Sequence, residues 1–256
     1  LTGEALLDVR AVSRQFEGFW AVRGVSFTVP QHQIAGLIGP NGAGKTTLFN
    51  VVTRYLPPSG GEIYFAGTRL DTLPTYSAPA LGLVRTFQIS RVFSRMTVLE
   101  NMLFAAPGQV GEGLLGALLA PRRVARQEKE LRERAMDLLR YFRLDHMAQN
   151  YAGALSGGQR KLLEMARALM LNPRMLLLDE PMAGVNPALK EQLLDYILDL
   201  RSKGITFLLI EHDIDMIMRI CDRILVMAQG ELIADGTPDQ VRRDPRVIDA
   251  YLGASQ

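Results

Sequence analysis

Gly39-Pro40-Asn41-Gly42-Ala43-Gly44-Lys45-Thr46 follows the pattern G-x-x-x-x-G-K-[ST] in full. Glycines at this spacing let the backbone curl until successive N–H groups point inward at phosphate oxygens. Lys45 has the reach for β- and γ-phosphates, and the Thr46 hydroxyl can ligate Mg²⁺. The loop calls for a nucleoside triphosphate with magnesium and does not separate a kinase from a GTPase or a motor. A second stretch, Arg174-Met175-Leu176-Leu177-Leu178-Asp179-Glu180, ends an apolar run on two carboxylates. An aspartate at the C-terminal edge of a buried parallel strand suits a Mg²⁺ shell. Glu180 follows where the chain can turn, so its carboxylate can face the γ-phosphate and orient or deprotonate water.

Three further features invite a role. Leu155-Ser156-Gly157-Gly158-Gln159 opens a helix predicted over residues 158–170 and is a second place where helix N–H groups could meet an anion. Gln88 follows the apolar Leu83-Val84 segment; a lone Gln after a strand is more often a surface residue. His212 follows the predicted strand 206–210, at the sheet edge where ligands sit, and could see a phosphate, cap a helix or lie at the surface. Phe16, Phe19 and Trp20 could be core, but an aromatic before a phosphate loop can also stack on a base, and Phe16 is the candidate. His32 and His146 read as surface residues, and Cys221 as core.

These residues need a scaffold. Residues 6–12, 25–29, 34–38 and 62–65 read as strands, and the helix-like segment 46–55 follows the glycine loop. The middle reads as helices over 99–105 and 130–142, with a solvated charged face over 122–134. Between them the leucines 114, 115, 118 and 119 suit a short amphipathic helix, either packed on its own domain or facing a partner. Strands over 175–178, 206–210 and 223–227 then alternate with helices over 187–202 and 213–221, which implies a mostly parallel sheet covered on both faces. No repeat or low-complexity linker interrupts the chain.

Composition narrows the class. The 256 residues are 48% hydrophobic and 22% charged, an ordinary globular balance. A net charge of +2 gives no bulk electrostatic case for nucleic acid. One cysteine excludes an internal disulfide and fits a reducing compartment. No run approaches the roughly 20 apolar residues that cross a bilayer. Residues 1–4 have no basic flank or signal-peptide core, and the absent initial Met points to a trimmed terminus. A soluble cytoplasmic protein is expected, with any membrane contact made through a partner.

The ordered set 39–46, Gln88, 155–159, 175–180 and His212 resembles the ATPase subunits of ATP-binding cassette transporters over nearly the whole chain. The Leu-Ser-Gly-Gly-Gln element is highly specific to that family. Residues 82–88, 92–101, 183–187 and the tail 230–251 look like the LivG-type ATPase of branched-chain amino acid importers. The resemblance implies an α/β fold of the P-loop NTPase kind. Its RecA-like, mostly parallel core carries an antiparallel β subdomain and an inserted α-helical signature subdomain. It implies a single nucleotide-binding domain, with the catalytic core at about 1–88 and 171–256 and the helical part at about 89–170.

The resemblance also supplies roles. ATP would be bound by Phe16, stacked on adenine, and by Gly39, Pro40, Asn41, Gly42, Ala43, Gly44, Lys45, Thr46 and Thr47. Mg²⁺ would be held by Thr46, Gln88 and Asp179, and catalysis carried by Glu180, His212 and Gln88. Ser156, Gly157, Gly158 and Gln159 would close over the nucleotide of a second ATPase subunit in a head-to-tail homo- or heterodimer. Further partners implied are integral membrane permease subunits and, indirectly, a periplasmic or extracellular substrate-binding protein, with no nucleic acid. The location implied is the inner face of the cell membrane. One departure is Asn186, where most of the wider family has Asp; the LivG-like subgroup shows the same kind of change. Alternatives within transport are a urea or short-amide importer and a lipid-export system. Outside it stands a soluble cassette ATPase acting on nucleic acid or ribosomes, which the single cassette and the lack of sustained heptads disfavour.

Overall fold

The computed structural model describes residues 5–86, 92–108 and 121–252. The expectations for Gln88 and for the leucine cluster 114–119 lie outside the described residues. The chain divides into two compact units: Leu1–Gln88 with Arg174–Ala183 and Lys190–Gln256, and Ile89–Pro173 with Gly184–Leu189.

The first unit holds two sheets. Strands β1 (Ala5–Phe16) and β2 (Phe19–Pro30) form an antiparallel hairpin, which β4 (Gly60–Phe65) and β5 (Thr68–Arg69) extend in the order β2-β1-β4-β5. The hairpin turns at Glu17 and Gly18, both with positive φ, as a tight two-residue turn between right-twisted strands requires. Its strands run longer than the expected 6–12 and 25–29, because register shifts carry the pairing past the alternating segments to Phe16↔Phe19.

The second sheet has the order β10-β9-β3-β8-β7-β6. It comprises β3 (Ile34–Ile38), β6 (Leu83–Arg85), β7 (Met175–Asp179), β8 (Thr206–Ile210), β9 (Arg223–Ala228) and β10 (Glu231–Gly236). All pairings are parallel except β9 with β10. Every residue of β3, β7 and β8 is buried, the pattern of parallel strands covered on both faces. Helix α1 (Lys45–Val52) follows β3 and buries Leu48, Phe49, Val51 and Val52 in the same core as Leu37, Leu177 and Leu208. Each such side chain contributes roughly 1.5–3 kcal/mol of burial. Short helix α2 (Ser77–Ala80) precedes β6. The sequence reading did not anticipate β5 or β10, whose residues are largely half-exposed and lack an apolar run.

The second unit is helical: α3 (Val98–Phe104), α4 (Pro121–Tyr141) and α5 (Gly157–Met170) pack on one another. Helix α4 runs through both the charged segment and the expected 130–142. Its outer face carries the i,i+4 pairs Arg126–Glu130 and Lys129–Glu133, while Ala135 and Leu139 are buried. Asn101, fully buried on α3, bonds Phe93 through both its N–H and its C=O and also donates to Thr97 O, which fixes the segment before the helix. Arg134 donates to Leu169 O at the end of α5. The remaining helices are α6 (Pro187–Ser202), α7 (Ile214–Ile220), α8 (Pro238–Arg242) and α9 (Pro245–Leu252). Asp213 caps α7 and Cys221 ends it, so both residues of the predicted helix limits stand just outside. Among the described residues, no helix is long and apolar enough to cross a membrane.

Candidate functional site

The loop after β3 is shaped by two glycines that cannot be replaced. Gly39 has φ 149°, and a Cβ there would lie 2.1 Å from Met227 O. Gly44 has φ 98°, and its Cβ would lie 2.3 Å from Ala21 O. The loop thus presses its back on β2 and β9, and Gly230 N–H anchors it at Ala43 O. Gly44 then opens α1 in the left-handed conformation, with no side-chain cap and no acidic residue in the first turn. The N–H groups of such a helix start have no partner within the helix, and the dipole favours an anion there. Lys45, on the first turn, is 7% exposed and donates to Gly39 O at 2.7 Å and Pro40 O at 3.0 Å. Burial pulls its ammonium below the ordinary lysine value, and the carboxylates of Glu180 and Asp179 oppose that shift.

The neighbouring strand ends supply acid and imidazole. β7 and β8 run in register to Asp179↔Ile210, so the chain leaves both strands at the same sheet edge. Glu180 N–H donates to Ile210 O, and Glu180 has φ 49°. A non-glycine residue there costs roughly 1–3 kcal/mol and persists where the surroundings impose it. The chain thus leaves the strand's alternation at Glu180, and the carboxylates of Asp179 and Glu180 both act on Lys45. His212 Nε2 lies 2.5 Å from Glu180 Oε1. Asp179 is 3% exposed; its Oδ2 accepts from Arg85 Nη2 at 2.7 Å. Its Oδ1 is buried with no hydrogen-bond partner among the described residues. A buried carboxylate oxygen left so is a seat for a cation or a donor, and oxygen donors of this kind suit Mg²⁺. A cavity of about 330 Å³ is lined by Phe19, Ala21, residues 41–47, Glu180 and His212. Phosphate loop, carboxylate and imidazole therefore share one space.

In the second unit, Ser156 opens α5 with a reciprocal capping box. Its Oγ accepts from Gln159 N–H at 3.2 Å, and Gln159 Oε1 accepts from Ser156 N–H at 2.9 Å. Leu155 is buried, while Ser156 and Gly157 are exposed. A Cβ on Gly157 would meet nothing within 4 Å, whereas one on Gly158 would strike Leu189 Cδ2 at 2.1 Å.

Residues 22–183 match the family model described as "ABC transporter". The chain belongs to the ATP-binding cassette transporter family. Residues 231–255 match the model "Branched-chain amino acid ATP-binding cassette transporter". The high-affinity branched-chain amino acid transport ATP-binding protein BraF of Pseudomonas aeruginosa is 43% identical over 97% of this chain and 98% of its own. Its LivG counterpart in Escherichia coli K12 is 42% identical over 98% of each. A nucleotide-free ATP-binding cassette from an ABC transporter superposes with TM-score 0.82 at 37% identity, covering 97% of this chain and 99% of that one. The ADP conformation of the cassette MJ1267 gives the same score and identity over 98% and 99%. This cassette is an ATP-hydrolysing transporter subunit of LivG type, and ATP is its nucleotide.

Within this cassette, residues 41–47, Glu180 and His212 line one cavity at the edge of the sheet. Phe16 does not line the cavity: it is 39% exposed at the hairpin end, with the Arg14 guanidinium 4.6 Å from its ring centroid. The ring on the cavity wall belongs to Phe19, its partner across the hairpin. Position before the phosphate loop singles out Phe16 without separating it from Phe19; the Phe-Glu-Gly-Phe hairpin spacing, which pairs the two, is the further signal in the sequence.

Two working residues were missed. Glu211 is 5% exposed and accepts from the N–H groups of Met182 at 2.7 Å and of His212 at 3.3 Å, so it fixes the chain just after Glu180 and beside His212. Arg85 clamps Asp179. A charged residue beside a phosphate-facing strand end was the signal for each. Asn186, the departure from the wider family, accepts from Leu189 N–H at 2.9 Å, as an N-cap of α6 does. His32 is exposed with Nδ1 on Gly204 O, and His146 is exposed. Cys221 is buried, and burial pushes its thiol up to about 12.

Proposed function

We propose that the whole chain is one nucleotide-binding domain that hydrolyses Mg-ATP at this edge as half of a head-to-tail pair. The pair would drive uptake of branched-chain or related amino acids. The observation that carries the chemistry is the Glu180–His212 contact beside the loop that ends on Lys45 and Thr46. The loop N–H groups and the start of α1 hold the phosphates, and Lys45 exchanges its loop carbonyls for phosphate oxygens. Glu180 orients and deprotonates the attacking water, and His212 holds Glu180 and the γ-phosphate. Thr46, Asp179 and Gln88 would hold Mg²⁺, which neutralises charge on the phosphates. An adenine would stack on a hairpin phenylalanine: Phe19 already stands on the cavity wall, and Phe16, the residue the resemblance implies, would have to give up Arg14 from its ring. Ser156, Gly157, Gly158 and Gln159 would close over the partner's nucleotide.

The relatives' role in branched-chain amino acid transport, given in their names, supports the substrate class, and with it permease partners, an indirect binding protein and a position at the inner membrane face. One experiment tests this reading. The chain is reconstituted with the membrane subunits and binding protein that co-purify with it. Labelled leucine uptake should require ATP and be competed by isoleucine and valine. Glu180→Gln should retain ATP binding while hydrolysis and uptake fall by roughly 10²–10⁴. A binding protein that carries urea or a short amide would overturn the substrate class. Near-normal turnover of Glu180→Gln would remove that residue from the chemistry.

A further inference from the structure

The buried ion pair behind the site is not explained by stability. The Arg85 and Asp179 side chains are 8% and 2% exposed, and an ion pair so deep commonly gains less than well-packed apolar residues would. Its geometry suggests another use. Arg85 Nη2 donates to Asp179 Oδ2 at 2.7 Å and Nη1 donates to Asn50 Oδ1 at 2.5 Å, with the Phe49 ring centroid 5.6 Å from the guanidinium carbon. One planar fork thereby joins three elements: β6, the end of β7, and α1, whose first turn bears Lys45 and Thr46. The fork occupies one oxygen of Asp179 and leaves Oδ1 buried with no hydrogen-bond partner among the described residues.

We propose that Arg85 is a positioning residue: anchored by Asn50, it fixes the rotation of the Asp179 carboxylate so that Oδ1 is presented to the nucleotide-bound metal. This rests on the reading of Asp179 as a metal-shell residue. The guanidinium charge itself opposes a nearby cation, so a neutralising variant would mix two effects of opposite sign. Two charge-preserving variants separate them. Arg85→Lys keeps the charge but replaces a rigid fork with a point donor that cannot span both acceptors. Asn50→Ala keeps both charges and removes the anchor.

Mn²⁺ binding to the ADP complex is read by electron paramagnetic resonance, with ADP affinity in EDTA and the melting temperature measured in parallel. Each variant should weaken Mn²⁺ binding by about 3–10-fold, the worth of one ordinary hydrogen bond, while metal-free ADP affinity stays within about twofold. The double variant should be no weaker than the worse single one, because both act through one carboxylate. Unchanged Mn²⁺ affinity in folded variants overturns the proposal, as does an equal fall in metal-free ADP affinity, which marks a merely structural clamp. If Arg85→Lys fails to fold, Asn50→Ala decides alone. Asp179→Asn serves as control. If it leaves Mn²⁺ binding unchanged, the metal-shell reading itself fails; if it weakens binding and the other variants do not, Arg85 alone is struck out.

Discussion

Helices α1 and α5 both begin at glycines, yet their first turns are finished differently. α1 opens on a left-handed Gly44 and has no side-chain cap. α5 opens on Ser156 in an extended conformation and is sealed by the Ser156–Gln159 box. Both differ from α3 and α8, whose capping boxes come with an acidic residue in the first turn, Glu100 and Asp239. An acid there satisfies the helix dipole from within the protein; its absence leaves the positive end for something else. α1 leaves its positive end open to an anion. α5 is complete as a helix, and the ligand role proposed for it rests on exposure and shape: Ser156 and Gly157 are exposed, and a Cβ on Gly157 would meet nothing within 4 Å among the described residues. Two glycine-led helix starts in one chain can serve one reaction if the first is filled by its own nucleotide and the second by a partner's.

The severest way to break this contrast is Ser156→Arg. An arginine at the N-terminus of α5 sets charge against the dipole, and its long side chain would hold the two subunits apart where they are proposed to close. ATP-dependent pairing in size-exclusion chromatography should disappear, and hydrolysis should fall by roughly 10²–10³. Nucleotide affinity of the single subunit should hold, since α1 is untouched. A variant that still pairs and turns over would show that α5 has no work in trans. Lys45→Ala attacks the other helix start. Its loss should weaken ATP binding by the unpaired subunit by roughly 10–100-fold, the range for a charge-assisted hydrogen bond. Calorimetric titration checks it, and unchanged affinity would make Lys45 a loop brace that serves Gly39 and Pro40 alone.

The same contrast marks what the sequence could disclose. The buried strands β3 and β8 are continuous apolar runs, so their limits could be read to the residue, and α6 likewise from its periodicity. The phosphate loop was legible because its glycines answer to backbone geometry, which is local. Arg85, Glu211 and Phe19 were not legible, because each acts through a partner 29 or more residues away or across a hairpin whose register the alternation alone did not set. The capping box of α5 lies between: Ser-x-x-Gln before an apolar helix is a printed signature. The same serine and glutamine carry the ligand role that the resemblance implies, so the two readings compete for one pair of side chains.

That double claim on Ser156 sets the smallest and most discriminating test. Ser156→Ala removes a cap worth about 1 kcal/mol. Melting should drop by roughly 2–4 °C for a chain of this size. Gly157→Ala does the reverse: Ala favours a helix, and its Cβ meets nothing within 4 Å among the described residues. It should hold or raise the melting temperature. If the space above Gly157 is where a partner's phosphates come to rest, the added methyl lowers turnover of the pair by roughly the several-fold of an overpacked contact. Fluorimetric melting and steady-state hydrolysis, measured on both variants, separate the two jobs. Ser156→Ala should lose stability, and Gly157→Ala should lose turnover without losing stability. A Gly157→Ala variant with unaltered turnover would mean that the opening above α5 is merely solvent, and the case for a nucleotide would then rest on the loop before α1 with Glu180 and His212 beside it.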